Sequence, residues 1–416
     1  MKHLGNITEI RGERVAVVDC VIGGSPCQDL SVAGKRAGLC GERSALYLEQ
    51  IRIIKEMRAR EKRTGRTGVD VRPRYMVWEN VPGVFSSNGG EDFRIVLEEA
   101  ARVADPDAVI PRPARWKGAG CIMADGWSIA WRILDAQFWG VPQRRRRIAL
   151  VADFGGQSAP EILFVRESVS GDSDAGGEKR KAASRDDEDC TTICDREREI
   201  VSFAKCSETI LSNCGRDIAR VAYKADGAVA YCYPEVNRGV VGSLDANMWR
   251  GPGMRGGLER TIVYSFDCRN AKEDIVSPTL QGNADHSLNA GNVVRIGYIV
   301  RRLTPLECER LQGYPDGWTD IGSWVGAKGK KNDSSDSERY RALGNSIALP
   351  QWKWVLKRLC SCYERDATMA SLFDGIGGFP FLWEQINGKG SCLWASEIEE
   401  FPIAVTKKRI GGGGSE

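Results

Sequence analysis

Near its end the chain reads "MASLFDGIGGFPFLWEQINGKGSCLWASE", Met369–Glu397. The apolar run "MASLF" has the composition of a buried strand. Asp374-Gly375-Ile376-Gly377-Gly378 follows as a turn, and glycine adopts the left-handed backbone such turns need without steric cost. Phe379–Ile386 then carries apolar residues at helical spacing, and "CLWASE" reads as a second strand ending at Glu397. Strand, glycine turn, helix and strand form a nucleoside-binding type of unit. The turn lets backbone approach a ligand, and an acid about 20 residues on can hold ribose hydroxyls. The turn contains no lysine, which excludes a phosphate-binding P-loop.

The same alternation runs through the first third of the chain. Val15–Ile22 reads as a buried strand, Ala45–Arg60 as a helix, and Tyr75–Trp78 as a strand ending at Glu79-Asn80. Phe93–Val103 reads as a helix, and Trp127–Asp135 and Arg147–Asp153 as strands around a turn at Pro142. Strand–helix alternation predicts a parallel α/β sheet. After Val169 the composition changes: Ser170–Asp189 is polar and reads as a linker. Residues 197–300 carry short β-like runs broken by Gly and Asn. Helical signals return at Pro305–Gln312 and Leu349–Leu359. The final "GGGGSE" reads as a flexible tail, outside the fold.

Composition narrows the function classes. The 416 residues are 42% hydrophobic and 28% charged, ordinary for a globular protein of two or three domains. No apolar run reaches the roughly 18 residues of a membrane span, and the start does not read as a signal peptide, so a bacterial or phage-type cytoplasm or a nucleus is expected. Fourteen scattered cysteines read as reduced thiols. Cys190/Cys194 and Cys206/Cys214 have poor zinc spacing, and no metal site is expected. A net charge of +3 does not announce a nucleic-acid partner, and the basic runs Arg144–Arg147 and Lys55–Arg66 read first as solvated faces. Only His3 and His286 are histidines, which counts against Ser-His or Cys-His hydrolysis.

Three further stretches carry chemistry. "GGSPCQ" places Pro26-Cys27-Gln28 just after a strand, at the sheet edge where open α/β folds bind ligands. A buried structural cysteine is the plain alternative. "WENVPGV" puts Glu79 at another strand end. "PQRRRR" puts Gln143, Arg145 and Arg147 on one face at period two.

Together, Pro-Cys-Gln, Glu-Asn-Val, Gln-x-Arg-x-Arg and Phe-x-Gly-x-Gly-Gly resemble the cytosine-C5 DNA methyltransferase family. "RRLTPLECERLQGYPDGW" (Arg301–Trp318) and "RYRALGNSIALP" (Arg339–Pro350) resemble two more of its segments. The resemblance implies a Rossmann-like, S-adenosylmethionine-dependent methyltransferase sheet of class α/β, with a smaller, irregular β-rich target recognition domain. The glycine motif comes last here, so the implied order is a circular permutation, with the two ends of the fold neighbours in space. The implied domains are 1–154 (catalytic, first part), 155–300 (target recognition, with linker 170–189), 301–368 (Gly-Asn-Ser segment), 369–410 (cofactor part) and 411–416 (tail).

By the same resemblance Cys27, flanked by Pro26 and Gln28, is the nucleophile. Glu79 contacts cytosine N3, Arg147 pairs with Glu79 and holds O2, and Arg145 supports the site or a nearby phosphate. Gln28–Gly41 resembles the catalytic loop, with Ser31, Lys35, Arg36 and Arg43 toward DNA, and Gln143 is assigned to DNA as well. Phe373, Asp374, Gly375, Gly377 and Gly378 resemble the cofactor cradle. Glu397 stands at the ribose, Ile398 at the adenine, and Asn345 and Ser346 at the closing wall. The family's acid near the adenine amine is Asn6 here, so weakened cofactor affinity is expected. Arg238, Arg250 and Arg269, with Asn237 and Arg255, lie in turns of the middle module and are assigned to bases or phosphates. The implied partners are double-stranded DNA, met as a monomer, and a cognate restriction endonuclease. A tRNA cytosine methyltransferase and a catalytically silent DNA-binding relative remain as alternatives.

Overall fold

A computed structural model describes residues 1–25, 46–164, 303–326 and 329–411, together with the backbone of six strands between 191 and 302. In chain order the strands are β1 (Lys2–His3), β2 (Cys20–Gly23), β3 (Tyr75–Asn80), β4 (Ala119–Ala124), β5 (Trp127–Asp135) and β6 (Arg146–Asp153). Then come β7 (Thr191–Cys194), β8 (Val201–Ser202), β9 (Val263–Asp267), β10 (Lys272–Asp274), β11 (Asn292–Ile296) and β12 (Ile299–Arg302). The last are β13 (Ser323–Val325), β14 (Lys331–Asp333), β15 (Met369–Leu372) and β16 (Cys392–Ser396). The helices are α1 (Leu46–Arg63), α2 (Glu91–Ala101), α3 (Ala159–Leu163), α4 (Pro305–Gln312), α5 (Asp336–Asn345), α6 (Leu349–Cys360), α7 (Gly378–Asn387) and α8 (Glu400–Arg409).

The main sheet runs β1-β16-β15-β2-β3-β6-β5-β4-β7-β8. From β1 to β3 all pairs are parallel, whereas β3/β6, β6/β5 and β5/β4 are antiparallel. The expected all-parallel sheet is therefore corrected to a mixed one. Only residues 136–145 join β5 to β6, too short a connection for a parallel crossover. The expected strand Val15–Ile22 shortens to β2. Its neighbour β15 begins at Met369, opposite Cys20, and leaves the earlier residues without a ladder. Sequence reading missed β4, α5 and the β13–β14 hairpin.

Period-two alternation divides the central strands between two cores. Cys20, Ile22, Tyr75 and Val77 face one side, where Trp352, Val355, Leu382 and Trp383 of α6 and α7 cover them. Val21, Met76 and Trp78 face the other side, under Tyr47, Ile51, Ile54 and Phe93 of α1 and α2. Burial on both faces is what a parallel sheet between helix layers requires. At the foot of β2, fully buried Asp19 receives both Arg365 guanidinium nitrogens at 2.6 and 2.8 Å. It also receives the Thr368 N–H at 2.8 Å and its hydroxyl at 2.9 Å. These bonds hold its carboxyl below the usual range despite burial. They also fasten the start of β15 to the start of β2.

β9–β12 form a separate antiparallel sheet, in the order β10-β9-β11-β12, while β7 pairs with β4 in the main sheet. Part of the expected middle module thus extends the main sheet. The six described cysteines are free thiols. Among the described residues there is no metal-ligating cluster, and no helix long and apolar enough to cross a membrane.

Candidate active site at the carboxyl edge of the sheet

Because β1, β16, β15, β2 and β3 run parallel, their carboxyl ends share one edge. From β15 the chain continues to β16 on one side, while β2 lies on the other. Such a reversal leaves a crevice beyond the strand ends. Every motif read at a strand end therefore arrives at one place: Asn6 after β1, Glu397 after β16, the glycine turn after β15, Gly24-Ser25 after β2 and Glu79 in β3. Antiparallel β6 brings its amino end, with Arg147, to the same edge.

The Arg147 Nε meets Glu79 Oε1 at 2.8 Å, with both side chains largely shielded. Glu79 also lies on the exit of β2: a Cβ at Gly24 would come within 2.9 Å of its Oε2. Period two along 143–147 holds as expected, with 143, 145 and 147 turned inward and 144 and 146 exposed. Arg145 is buried and donates to the Gly344 and Ser346 carbonyls. It therefore braces the Gly-Asn-Ser segment. Gln143, assigned to DNA, is 0% exposed, and both polar atoms of its amide are buried without a hydrogen-bond partner among the described residues. Pro26, Cys27, Gln28, Ser31, Lys35, Arg36 and Arg43 lie outside the described residues, as do Arg238, Arg250 and Arg269 with Asn237 and Arg255.

The cofactor half is built around the glycine turn. Phe373 has φ 55°, a left-handed conformation rare for a non-glycine residue, and Gly375 and Gly377 continue it at 55° and 78°. Residues held in such regions concentrate at binding sites. The Gly375 N–H donates to Glu397 Oε2 at 2.7 Å, tying the turn to the end of β16. Glu397 Oε1 accepts from the Ile398 and Glu399 N–H groups at 2.7 and 2.9 Å. Asp374 is buried and receives the Ser371 hydroxyl on Oδ1 at 2.6 Å, with the Thr406 hydroxyl as a second hydrogen-bonding neighbour of the carboxyl. Burial pushes its carboxyl up to about 8; the Ser371 hydrogen bond opposes this, and the Glu397 charge adds to it.

Ile398 is 70% exposed, an apolar side chain open to a ligand at the edge. Ser346 hydrogen-bonds the Tyr314 hydroxyl, which itself packs over Gly378, while Asn345 is exposed. Asn6 caps a short turn, its Oδ1 accepting the Thr8 N–H at 3.1 Å. Sequence reasoning did not single out Tyr314, Trp78 or Ser25, because an aromatic or serine inside a motif carries no chemical signal of its own.

The family model for C-5 cytosine-specific DNA methylase matches residues 1–103 and 122–361. A curated relative, the DNA N-6-adenine-methyltransferase of Escherichia phage P1, is 29% identical over 88% of this chain and 56% of its own length. Type II methyltransferase M.BsuFI of Bacillus subtilis is 28% identical over 36% of this chain and 28% of its own length. The chain thus spans about half or less of these two relatives. Orphan methyltransferase M.SPRI of Bacillus phage SPR is 21% identical over 87% of each. With most of its length matched by the family model and the motif residues gathered at one sheet edge, the chain belongs to the C-5 cytosine-specific DNA methylase family.

Proposed function

We propose that this chain is a DNA (cytosine-5-)-methyltransferase that uses S-adenosylmethionine and acts on a cytosine flipped from a duplex site. The observation that carries this reading is the Glu79–Arg147 pair seated on Gly24. Cys27 is three residues further along the chain from Gly24. A thiolate adding to cytosine C6 makes C5 electron-rich. Glu79 then shares a proton at N3, and Arg147 holds both the carboxylate and the O2 edge. Taking the base out of the stack is what gives a thiol access to C6.

The residues around the glycine turn fit the cofactor. Asp374 offers a buried carboxyl beside the glycine turn, Glu397 an acid to a ribose, and Ile398 an apolar surface to an adenine. When bound, S-adenosylmethionine supplies an electrophilic methyl group. Residues 155–300 are proposed to supply target recognition. A permuted order is supported by the sheet: the late strands β15 and β16 are inner strands, and the N-terminal β1 is the edge beside β16. Near this junction, burial and the Lys407 charge push His3 down to about 4.

The test is transfer of labelled methyl groups to mixed-sequence duplex DNA, followed by digestion to nucleosides, with Cys27→Ser alongside. The expected product is 5-methylcytosine from the wild type and none from the variant. N6-methyladenine, the product class named for the phage P1 relative, would overturn the reading. Label in tRNA alone would do so as well.

Asn6→Asp is expected to tighten cofactor binding several-fold. The aspartate would keep the cap on Thr8 and turn a neutral hydrogen bond to an exocyclic amine into a charge-assisted one. Calorimetric titration with S-adenosylmethionine reads this, and unchanged affinity counts against Asn6 as an adenine contact.

A further inference from the structure

The alternation that turns Arg145 and Arg147 inward turns Arg144 and Arg146 outward, and both are exposed. They stand where the connection from β5 enters β6, on the edge that holds the Glu79–Arg147 pair. A second basic segment reaches the same edge beyond β5. Residues 112–118 lead into β4 and are fastened along the way. Arg112 Nη1 donates to the Gly89 carbonyl at 2.5 Å, and the Trp116 indole N–H donates to the Gly90 carbonyl at 2.7 Å. The Lys117 carbonyl accepts the Trp131 indole N–H at 3.1 Å, and the Gly118 carbonyl accepts the Ile133 N–H at 2.7 Å. Carrying the β4–β5 register back from Ala119 and Arg132 puts Lys117 opposite Leu134, which is itself opposite Arg147. Arg115 is exposed and Lys117 half-buried.

These charges are not neutralised from within. Surface cations along α1 and α2 such as Arg52, Lys55 and Arg94 are tied to acids. Among the described residues, no carboxylate pairs with Arg115, Lys117 or Arg146. Asp135 stands opposite Arg146 in the ladder, but its carboxylate accepts the Arg145 N–H at 3.0 Å and the Gln137 side-chain amide at 2.8 Å. Cations left open around one cleft raise the local concentration of an anionic partner. A duplex carries one negative charge per about 1.7 Å of its axis, and it offers phosphates on both sides of a nucleotide taken out of the stack.

We propose that Arg115, Lys117, Arg144 and Arg146 form a phosphate-contacting surface that seats duplex DNA beside the Glu79–Arg147 pair, separate from residues 155–300. This rests on the reading of the chain as a DNA methyltransferase. Contacts to phosphate set position and carry no sequence information, so the surface acts on every duplex alike.

The test is binding of a fluorescein-labelled duplex of mixed sequence, followed by anisotropy over a salt series. It compares wild type, Arg144→Ala/Arg146→Ala, Arg115→Ala/Lys117→Ala, the fourfold variant and Lys62→Ala. Lys62 is the control, in the last turn of α1, where Arg58 bonds the Val71 and Pro73 carbonyls ahead of β3. Each phosphate contact contributes about 0.9 to the slope of log K against log salt, so each pair is expected to flatten it by about 1.8 and the fourfold variant by about 3.6. The loss in affinity is expected to be the same on an unrelated sequence. Arg144→Lys/Arg146→Lys keeps the charge and should keep the slope.

A fourfold variant whose slope stays within about 0.5 of wild type overturns the proposal. So does an equal flattening in Lys62→Ala, or tighter binding of tRNA than of duplex by the wild type. Tm and affinity for S-adenosylmethionine report that the variants fold, and Arg115→Ala/Lys117→Ala carries the test if the other pair does not. A wild type that transfers no methyl group but binds duplex with the expected slopes removes the functional reading and leaves the surface. Formation of 5-methylcytosine with unchanged slopes in the variants does the reverse.

Discussion

Glu79→Gln is expected to lower kcat for methyl transfer by about 10²–10⁴-fold, the usual worth of a positioned acid–base group. The substitution is isosteric and retains a hydrogen-bonding amide toward Arg147 Nε, but it removes the charge that pairs with the guanidinium at 2.8 Å. It also removes the group that would share a proton with cytosine N3. Because the pair is partly shielded at the strand ends and lies outside the two cores, Tm is expected to change by only a few degrees. Adduct formation with 5-fluorocytosine DNA should fall in parallel with kcat, since the activation it reports precedes transfer. A kcat within tenfold of wild type would remove Glu79 from the mechanism.

Asp19→Ala is expected to be the most destabilising single change, by about 3 kcal/mol or more, because it leaves a buried cluster of donors without its acceptor. Asp19 is fully buried, and it is bound by Arg365 and by the backbone and hydroxyl of Thr368, 349 positions away in the chain. Arg365 is half exposed, so water recovers part of the loss on its side. The pH dependence has a definite sign. Folding lowers the Asp19 carboxyl below its ordinary 3.8. Its stabilisation is therefore fully present above the unfolded value and is lost as pH falls through the folded one. Urea unfolding at pH 7 should show the full gap between wild type and Asp19→Ala, and the gap should narrow below about pH 4. A gap that is constant with pH would assign the effect to packing.

Much of the candidate site is legible in the order of residues. The Gly375-x-Gly377-Gly378 turn, Glu397, and the 143–147 alternation are local patterns, set by backbone sterics and by strand periodicity. They read correctly because the chemistry of a turn or a strand face needs only its own few residues. Gln143 and Arg145 show the limit of such patterns. A polar residue on the inward face looks the same in sequence whether it meets solvent, DNA or a carbonyl of Gly344. The mixed character of the sheet is missed because propensity marks β5 and β6 as strands but not their direction, which the length of the connection decides.

Local pattern thus suffices for most of the elements around the site, the motif residues at their ends and the family. Which of those ends meet is set only by packing in three dimensions. Residues as distant as Gly24, Glu79 and Arg147 are brought together by ladder register, and Asp19 and Thr368 by the pairing of β2 with β15. Register is a property of paired strands and their two buried faces, and no single segment encodes it. The same holds for the indole of Trp78. Its place in β3 follows from alternation, but that it donates to Ser25 follows only from the position of β2 beside it.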